Sequence, residues 1–311
     1  MPSLVRYLLT RVLRGAATVL GVVTLVFLLL HLIPGDPAQA MLGDQASPED
    51  RAALRRTLHL DRPLPEQYGL FCGELLRGSL GSSFRDQTRS VASLIGEVVP
   101  GTLQLAVAAL LVALCLALPL GTLAAVRRGS FWDGLASSVA LVGLAIPNIW
   151  LGPLLILLFG VWLRVLPMPG DNAGFASLIL PALTLGAALS AVLTRQTRAS
   201  LLDVLSEPYI RAARARGISE LRLIVRHALR NALLPVLTVV GAQLGALLSG
   251  AVVAEKIFER PGIGSLFLEA FFERDIPVVQ GCTLVIALFY VVVNLGVDLL
   301  YGVIDPRVRL E

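Results

Sequence analysis

The chain has 311 residues, 56% of them hydrophobic and only 15% charged, with a formal net charge of +4 and a mean hydropathy of +0.78. This is more apolar than a soluble domain of that length, so a water-soluble enzyme and a nucleic-acid-binding protein are excluded and an integral membrane protein is indicated.

Six stretches free of Asp, Glu, Lys and Arg are long enough to cross a bilayer, which takes about 20 apolar residues. They are Gly15–Ile33, Thr102–Val126, Gly134–Leu163, Ala173–Thr194, Ala232–Ala254 and Ile276–Val297. The first follows Arg6, Arg11 and Arg14 and is trailed by "PAQA", which resembles a cleaved secretory signal. Its apolar run exceeds the roughly 7 to 15 residues of a signal core and five more stretches follow, so it reads as a retained span.

Residues 34–99 hold seven arginines against nine carboxylates, and "LDRPLPEQY" and "RGSLGSS" within them read as turns between short amphipathic helices. This is a small cap outside the membrane. A domain boundary is drawn near Glu97, giving 1–97 for the first span and cap, 98–299 for a five-helix core, and a cytoplasmic tail at 300–311. In the third stretch Pro147 and Pro153 are expected to kink or break the helix, because each removes a backbone donor and crowds the preceding turn.

Positive residues near span ends stay on the cytoplasmic side. Arg127 and Arg128, the connection from Arg195 to Pro235, and Arg307 and Arg309 then fall inside together, with both termini cytoplasmic. The Arg195–Pro235 connection alone has eight arginines against Asp203, Glu207 and Glu220, more net charge than the whole chain. Local signals divide it into two helices. The first is capped by Ser206, has Pro208 in its first turn and stops at Gly217, where a left-handed residue is needed. The second starts after Ser219 and stops before Pro235. On it Leu221, Ile224, Val225, Ala228, Leu229 and Ala232 share a face, and Arg222, Arg226 and Arg230 recur every four residues on another. The arginine stripe suits anionic lipid heads, whereas two short helices about a glycine hinge look like a docking element for another protein. In the fifth span Gly241, Gly245 and Ser249 also recur every four residues, a face for close helix packing or for lining a path.

The remaining chemistry is sparse. A phosphate-cradling loop needs Lys after its glycines, yet the only lysine, Lys256, sits between Glu255 and Ile257. No acid falls between the halves of a span, as ion coupling in a secondary transporter would require. His31, His59 and His227 all lie outside membrane depth, which argues against an intramembrane hydrolase, and Cys72, Cys115 and Cys282 lack metal spacing. There is no internal repeat.

"EPYIRAARARGISELRLIVRHALRNALLPVLTVVG" resembles the EAA loop of permease subunits of binding-protein-dependent ABC importers, in the dipeptide, oligopeptide, glutathione and nickel branch. The resemblance extends along the chain through "RYLLTRVLRG", "HLIPGDPA", "GTLAAVRRGSFWD", "ILPALTLG", "RPGIGSLF", "RDIPVVQG" and "VNLGVDLLYGVIDPRVR". It implies an all-α type I ABC importer permease fold with about six transmembrane helices in a bacterial inner membrane. The coupling loop at 206–235 would contact an ATPase subunit through Glu207, Tyr209, Arg211, Ala212, Ala213, Arg216, Gly217 and Ile218. It further implies a second permease chain, two ATPase subunits that bind ATP and magnesium, and a substrate-binding protein, with no cofactor and no enzyme activity in this chain. Short peptides are the implied substrate and nickel the alternative; an ion-coupled secondary transporter is the reading outside the family. Arg211 stands where the generic motif has Glu, Pro235 lies farther from Gly217 than the generic spacing, and Arg260 and Ile276 replace aromatics common in the branch.

Overall fold

The computed structural model describes residues 2–32, 47–57, 59–171 and 174–304. The C-terminal tail beyond 304 and the "PAQA" stretch lie outside them. In chain order the helices are α1 (Pro2–Leu32), α2 (Pro48–Thr57), α3 (Leu64–Leu76), α4 (Val91–Val126), α5 (Phe131–Ala145) and α6 (Asn148–Leu155). There follow α7 (Ala176–Leu205), α8 (Pro208–Ala215), a single turn α9 (Glu220–Arg222), α10 (Leu229–Ile257), α11 (Ile263–Phe272) and α12 (Ile276–Ile304). Two wide π-helical stretches, Ile156–Trp162 and Leu223–Ala228, extend α6 and join α9 to α10. Among the described residues no β-strand forms; one isolated bridge pairs Ser82 with Ser90.

Among the described residues five helices are long and apolar enough to cross a membrane, or six if α5 and α6 with its π extension make one broken span. That span bends by 103°, and the break falls at Ile146–Pro147: the proline lacks a donor and drives the residue before it to an extended backbone. Pro153 stays inside α6 without a break. Pro235 also sits within α10, so the helix expected to stop before it continues to Ile257. A transmembrane helix tolerates such a residue because its neighbours can satisfy the freed carbonyl.

The chain divides into two compact units, Met1–Pro100 with Gly262–Leu295, and Gly101–Pro261 with Gly296–Glu311. In the first, the Thr24 and Tyr68 hydroxyls are 2.8 Å apart, Phe27 meets the edge of the Tyr68 ring, and Gln280 donates to the Val26 carbonyl at 3.0 Å, tying α1 to α3 and α12. The turn before α4 is pinned by buried Asp275, which accepts from the Ser83 hydroxyl and, at 3.0 Å, from the Phe84 amide. In the same turn the hydroxyl and amide of Thr88 hold the Asp86 carboxyl below its usual range.

In the second unit Leu105, Ala109, Ala113 and Ala117 form a buried row on α4, packed with Leu185, Leu189 and Leu193 of α7 and Val236, Val240 and Ala251 of α10. Small side chains every four residues let the helices approach. At the end of this contact a Cβ on Gly121 would lie 2.8 Å from the Thr194 carbonyl oxygen and 2.7 Å from the Thr197 Cβ, so only glycine fits. At the opposite end of the same helices Thr102 donates to the fully buried carboxylate of Glu255 at 2.5 Å.

Candidate coupling site

The 206–235 connection folds into a compact block. Ser206 does not cap α8 as expected: it ends α7, and its hydroxyl donates back to the Asp203 carbonyl. Pro208 explains the shift, since the residue before a proline is pushed out of the helical region. Glu207 is accordingly extended, at φ −65° and ψ 145°, and becomes the N-cap, with Pro208 pre-set for the first helical position.

α8 is a helix of two turns with two characters. Ile210 and Ala213, three residues apart, point inward and are buried. They join Ala125 from α4, Leu201 from α7, Leu223 and Ala228 from the π stretch, and Ala232 from α10 in one apolar cluster. Tyr209, Arg211, Ala212 and Arg216 face outward, as does Glu207. Ala213 therefore packs against its own chain, while Tyr209, Arg211 and Ala212 form the outward face of α8 and Glu207 and Arg216 are exposed at its two ends. Ile218 is half-buried against the same cluster.

Gly217 terminates α8 at φ +76°. Its amide donates to the Arg214 carbonyl at 3.0 Å and the Ile218 amide to the Ala213 carbonyl at 3.3 Å. This pair of reversed bonds with an apolar contact from the following residue is the Schellman arrangement, and it requires the left-handed backbone that glycine adopts at least cost. Two side-chain pairs brace the turn. Arg214 grips Glu220 with two bonds, 2.5 Å and 3.1 Å, which lowers the Glu220 carboxyl below its usual range and raises the guanidinium. Asn231 donates to the Tyr209 hydroxyl at 2.7 Å, joining the start of α8 to the start of α10. The ion pair is about half exposed and adds little stability; its geometry fixes α8 against α9.

Arg222, Arg226 and Arg230 are all exposed, beside exposed Leu221 and Val225, and none has an ion-pair partner among the described residues. On α10 Gly241 is buried, Gly245 half-buried and Ser249 exposed, its hydroxyl donating to the Gly245 carbonyl at 3.2 Å. The row thus turns from core to surface along the helix and does not form one uniform face. Two contacts escape a reading of the sequence. The Tyr209–Asn231 bond spans 22 residues, and a bidentate pair between Arg198 and Asp133 spans 65. Ile210 could have been found from its spacing to Ala213.

Residues 117–310 match the profile of the binding-protein-dependent transport system inner membrane component, and residues 4–106 match the N-terminal profile of the same transport-system membrane components. The dipeptide transport system permease protein DppB of Escherichia coli (strain K12) is 40% identical over 340 aligned positions, covering 98% of this chain and 99% of that protein. The glutathione transport system permease protein GsiC of Salmonella paratyphi A is 40% identical over 308 positions, covering 99% and 100%. Among solved structures, an inward-facing MetNI methionine ABC transporter superposes with a TM-score of 0.58 at 17% identity, covering 69% of this chain and 97% of that one.

Proposed function

The chain belongs to the family of binding-protein-dependent transport system inner membrane components, and on that footing we propose that it forms half of the translocation path of an importer for short peptides, with both termini cytoplasmic. It is an ABC importer permease and not an enzyme; in such systems separate subunits hydrolyse ATP. Its partners in this reading are a second permease of the same family, two ATPase subunits that hold ATP and magnesium, and a substrate-binding protein, while this chain holds no cofactor. Di- and oligopeptides and glutathione are the substrate class, by similarity to relatives named for dipeptide and glutathione transport.

The observation that carries the mechanism is the two-sided α8. Its outer face offers Tyr209, Arg211 and Ala212, with Arg216 at its end, to an ATPase cleft, and its inner face is locked by Ile210 and Ala213 into the bases of α4, α7 and α10. Close-packed interiors transmit displacement without much compression. A push on α8 when the ATPase pair closes on ATP therefore moves three membrane helices together. Gly217 and the Arg214–Glu220 pair keep the angle of α8 fixed while this happens.

The test is reconstitution. The purified chain alone should bind no ATP. Assembled with its partners in proteoliposomes, it should show ATP hydrolysis stimulated by peptide-loaded binding protein, together with uptake of a radiolabelled dipeptide or of glutathione. Saturable ATP binding by the isolated chain, or uptake of neither probe, would refute the reading. Orientation is checked in a cysteine-free background: an impermeant maleimide added outside spheroplasts should label Asp86→Cys and not Arg216→Cys.

A further inference from the structure

Asp133 lies in the first turn of α5 and is only 7% exposed, yet three donors converge on its carboxylate. Arg198 of α7 donates through Nε to one oxygen at 2.7 Å and through a terminal nitrogen to the other at 2.9 Å, and the Gly129 amide donates at 2.9 Å. The two parallel guanidinium bonds fix orientation as well as distance, which one ammonium contact would not. Withdrawing the Asp133 carboxylate from water, beside a guanidinium that is itself only a third exposed, carries a desolvation penalty that an apolar pair would avoid, so stability is a poor account of why the pair is there.

Its position gives a better one. On α7, Arg198 precedes Leu201 by three residues, so the two are neighbours on the helix surface. Leu201 is fully buried in the cluster with Ile210 and Ala213 of α8. The last turns of α7 are thus gripped by α8 through Leu201 and by α5 through Arg198. α5 in turn ends at the 103° bend, and beyond it Gly152 of α6 lies so close to α10 that an added Cβ would meet Ile257 at 3.1 Å. Building on the coupling role proposed above, we infer that the Asp133–Arg198 pair is the positioning link through which displacement of α8 reaches the broken third span, tying substrate movement to ATP hydrolysis.

The experiment uses the assembled transporter in proteoliposomes with partner permease, ATPase subunits and binding protein. Asp133→Asn, which leaves no buried charge, should keep complex yield and basal ATP hydrolysis near the parent's, whereas Arg198→Gln leaves Asp133 buried without its partner and is read per assembled transporter. Uptake of labelled dipeptide or glutathione per ATP should fall about 5- to 150-fold, the usual range of a coupling free energy. Since either change already cuts the link, the double variant should lose no more than the worse single. Arg198→Lys, which keeps the charge and not the fork, should fall between parent and Arg198→Gln. Parent-like uptake per ATP in both single variants overturns the inference, and so do losses that add in the double. A drop in complex yield with unchanged uptake per assembled transporter also overturns it, because the pair is then only a brace. Should the parent import neither probe, the substrate reading fails, and the link is judged by spin labels on α5 and α8. Those labels should shift together on ATP binding in the parent and not in Asp133→Asn; a shift that persists in the variant refutes the link.

Discussion

Gly217→Val tests whether the angle of α8 matters. An added Cβ at Gly217 meets nothing within 4 Å, so the substitution introduces no clash and acts through the backbone alone. At φ +76° a residue with a Cβ costs roughly 1 to 2 kcal/mol. The chain can escape that strain by leaving the left-handed region, but it then forfeits the Gly217–Arg214 and Ile218–Ala213 bonds, each worth about 0.5 to 1.5 kcal/mol net. The two costs are similar, so a substantial part of the population re-aims α8 relative to α10. Neither is large enough to unfold the spans, and membrane insertion should be normal. Asn is the control, because its short polar side chain tolerates the left-handed region. The assay is peptide-stimulated ATP hydrolysis and uptake in proteoliposomes, normalised to permease content. Gly217→Val should lose both, with Gly217→Asn close to the parent. Parent-like transport by Gly217→Val would refute the hinge, most plainly if Arg226→Ala abolished coupling in the same experiment.

Ile210→Ala removes a fully buried side chain from the cluster behind α8 and should cost about 2 to 5 kcal/mol, read as a lower thermal midpoint together with loss of stimulated ATP hydrolysis. Arg226→Ala, on an exposed side chain with no ion pair to the described residues, should change stability by less than about 0.5 kcal/mol and leave uptake within about twofold. Gly121→Leu drives a side chain into the Thr194 carbonyl and Thr197, and its overpacking of about 1 to 3 kcal/mol should appear as reduced yield of folded permease in detergent. Gly245→Leu, at a half-buried position, should lower complex yield or uptake; unchanged values of both would remove Gly245 from any interface.

The spans were legible because hydropathy over 20 residues reports them directly, and Gly217 because a single residue type at the end of a short amphipathic run signals a left-handed stop. What failed was local. Ser206 is a good capping residue by type, but Pro208 two positions on dictates the backbone of Glu207 and moves the cap there. Pro235 reads as a stop in water and is carried through in a helix that continues into the apolar span. The partner of Asp133 leaves no trace in the sequence near it: an aspartate in the first turn of a helix is already explained by the helix dipole, so nothing prompts a search for Arg198. Contacts between helices distant in sequence escape periodicity altogether.

The structure also divides the positive charge of the 195–235 connection into two kinds. Arg198 and Arg214 are held by carboxylates of the chain itself, and each fixes the direction of one helix against another. Arg195, Arg211, Arg216, Arg222, Arg226 and Arg230 are exposed, with no ion pair to the described residues. Only the second kind creates a field outside the protein, and at physiological salt that field fades over about 8 Å. Arg211 lies on the outer face of α8 and Arg216 at its end, where the field would act on a partner seated against that helix, while Arg222, Arg226 and Arg230 follow the start of the fifth span. A basic stretch that looks uniform in the sequence thus holds two arginines that tie helices of the chain together and six that are exposed. The separation matters because removing one of the two leaves a carboxylate without its partner, buried in the case of Asp133, whereas removing an exposed arginine changes only an attraction that salt already screens.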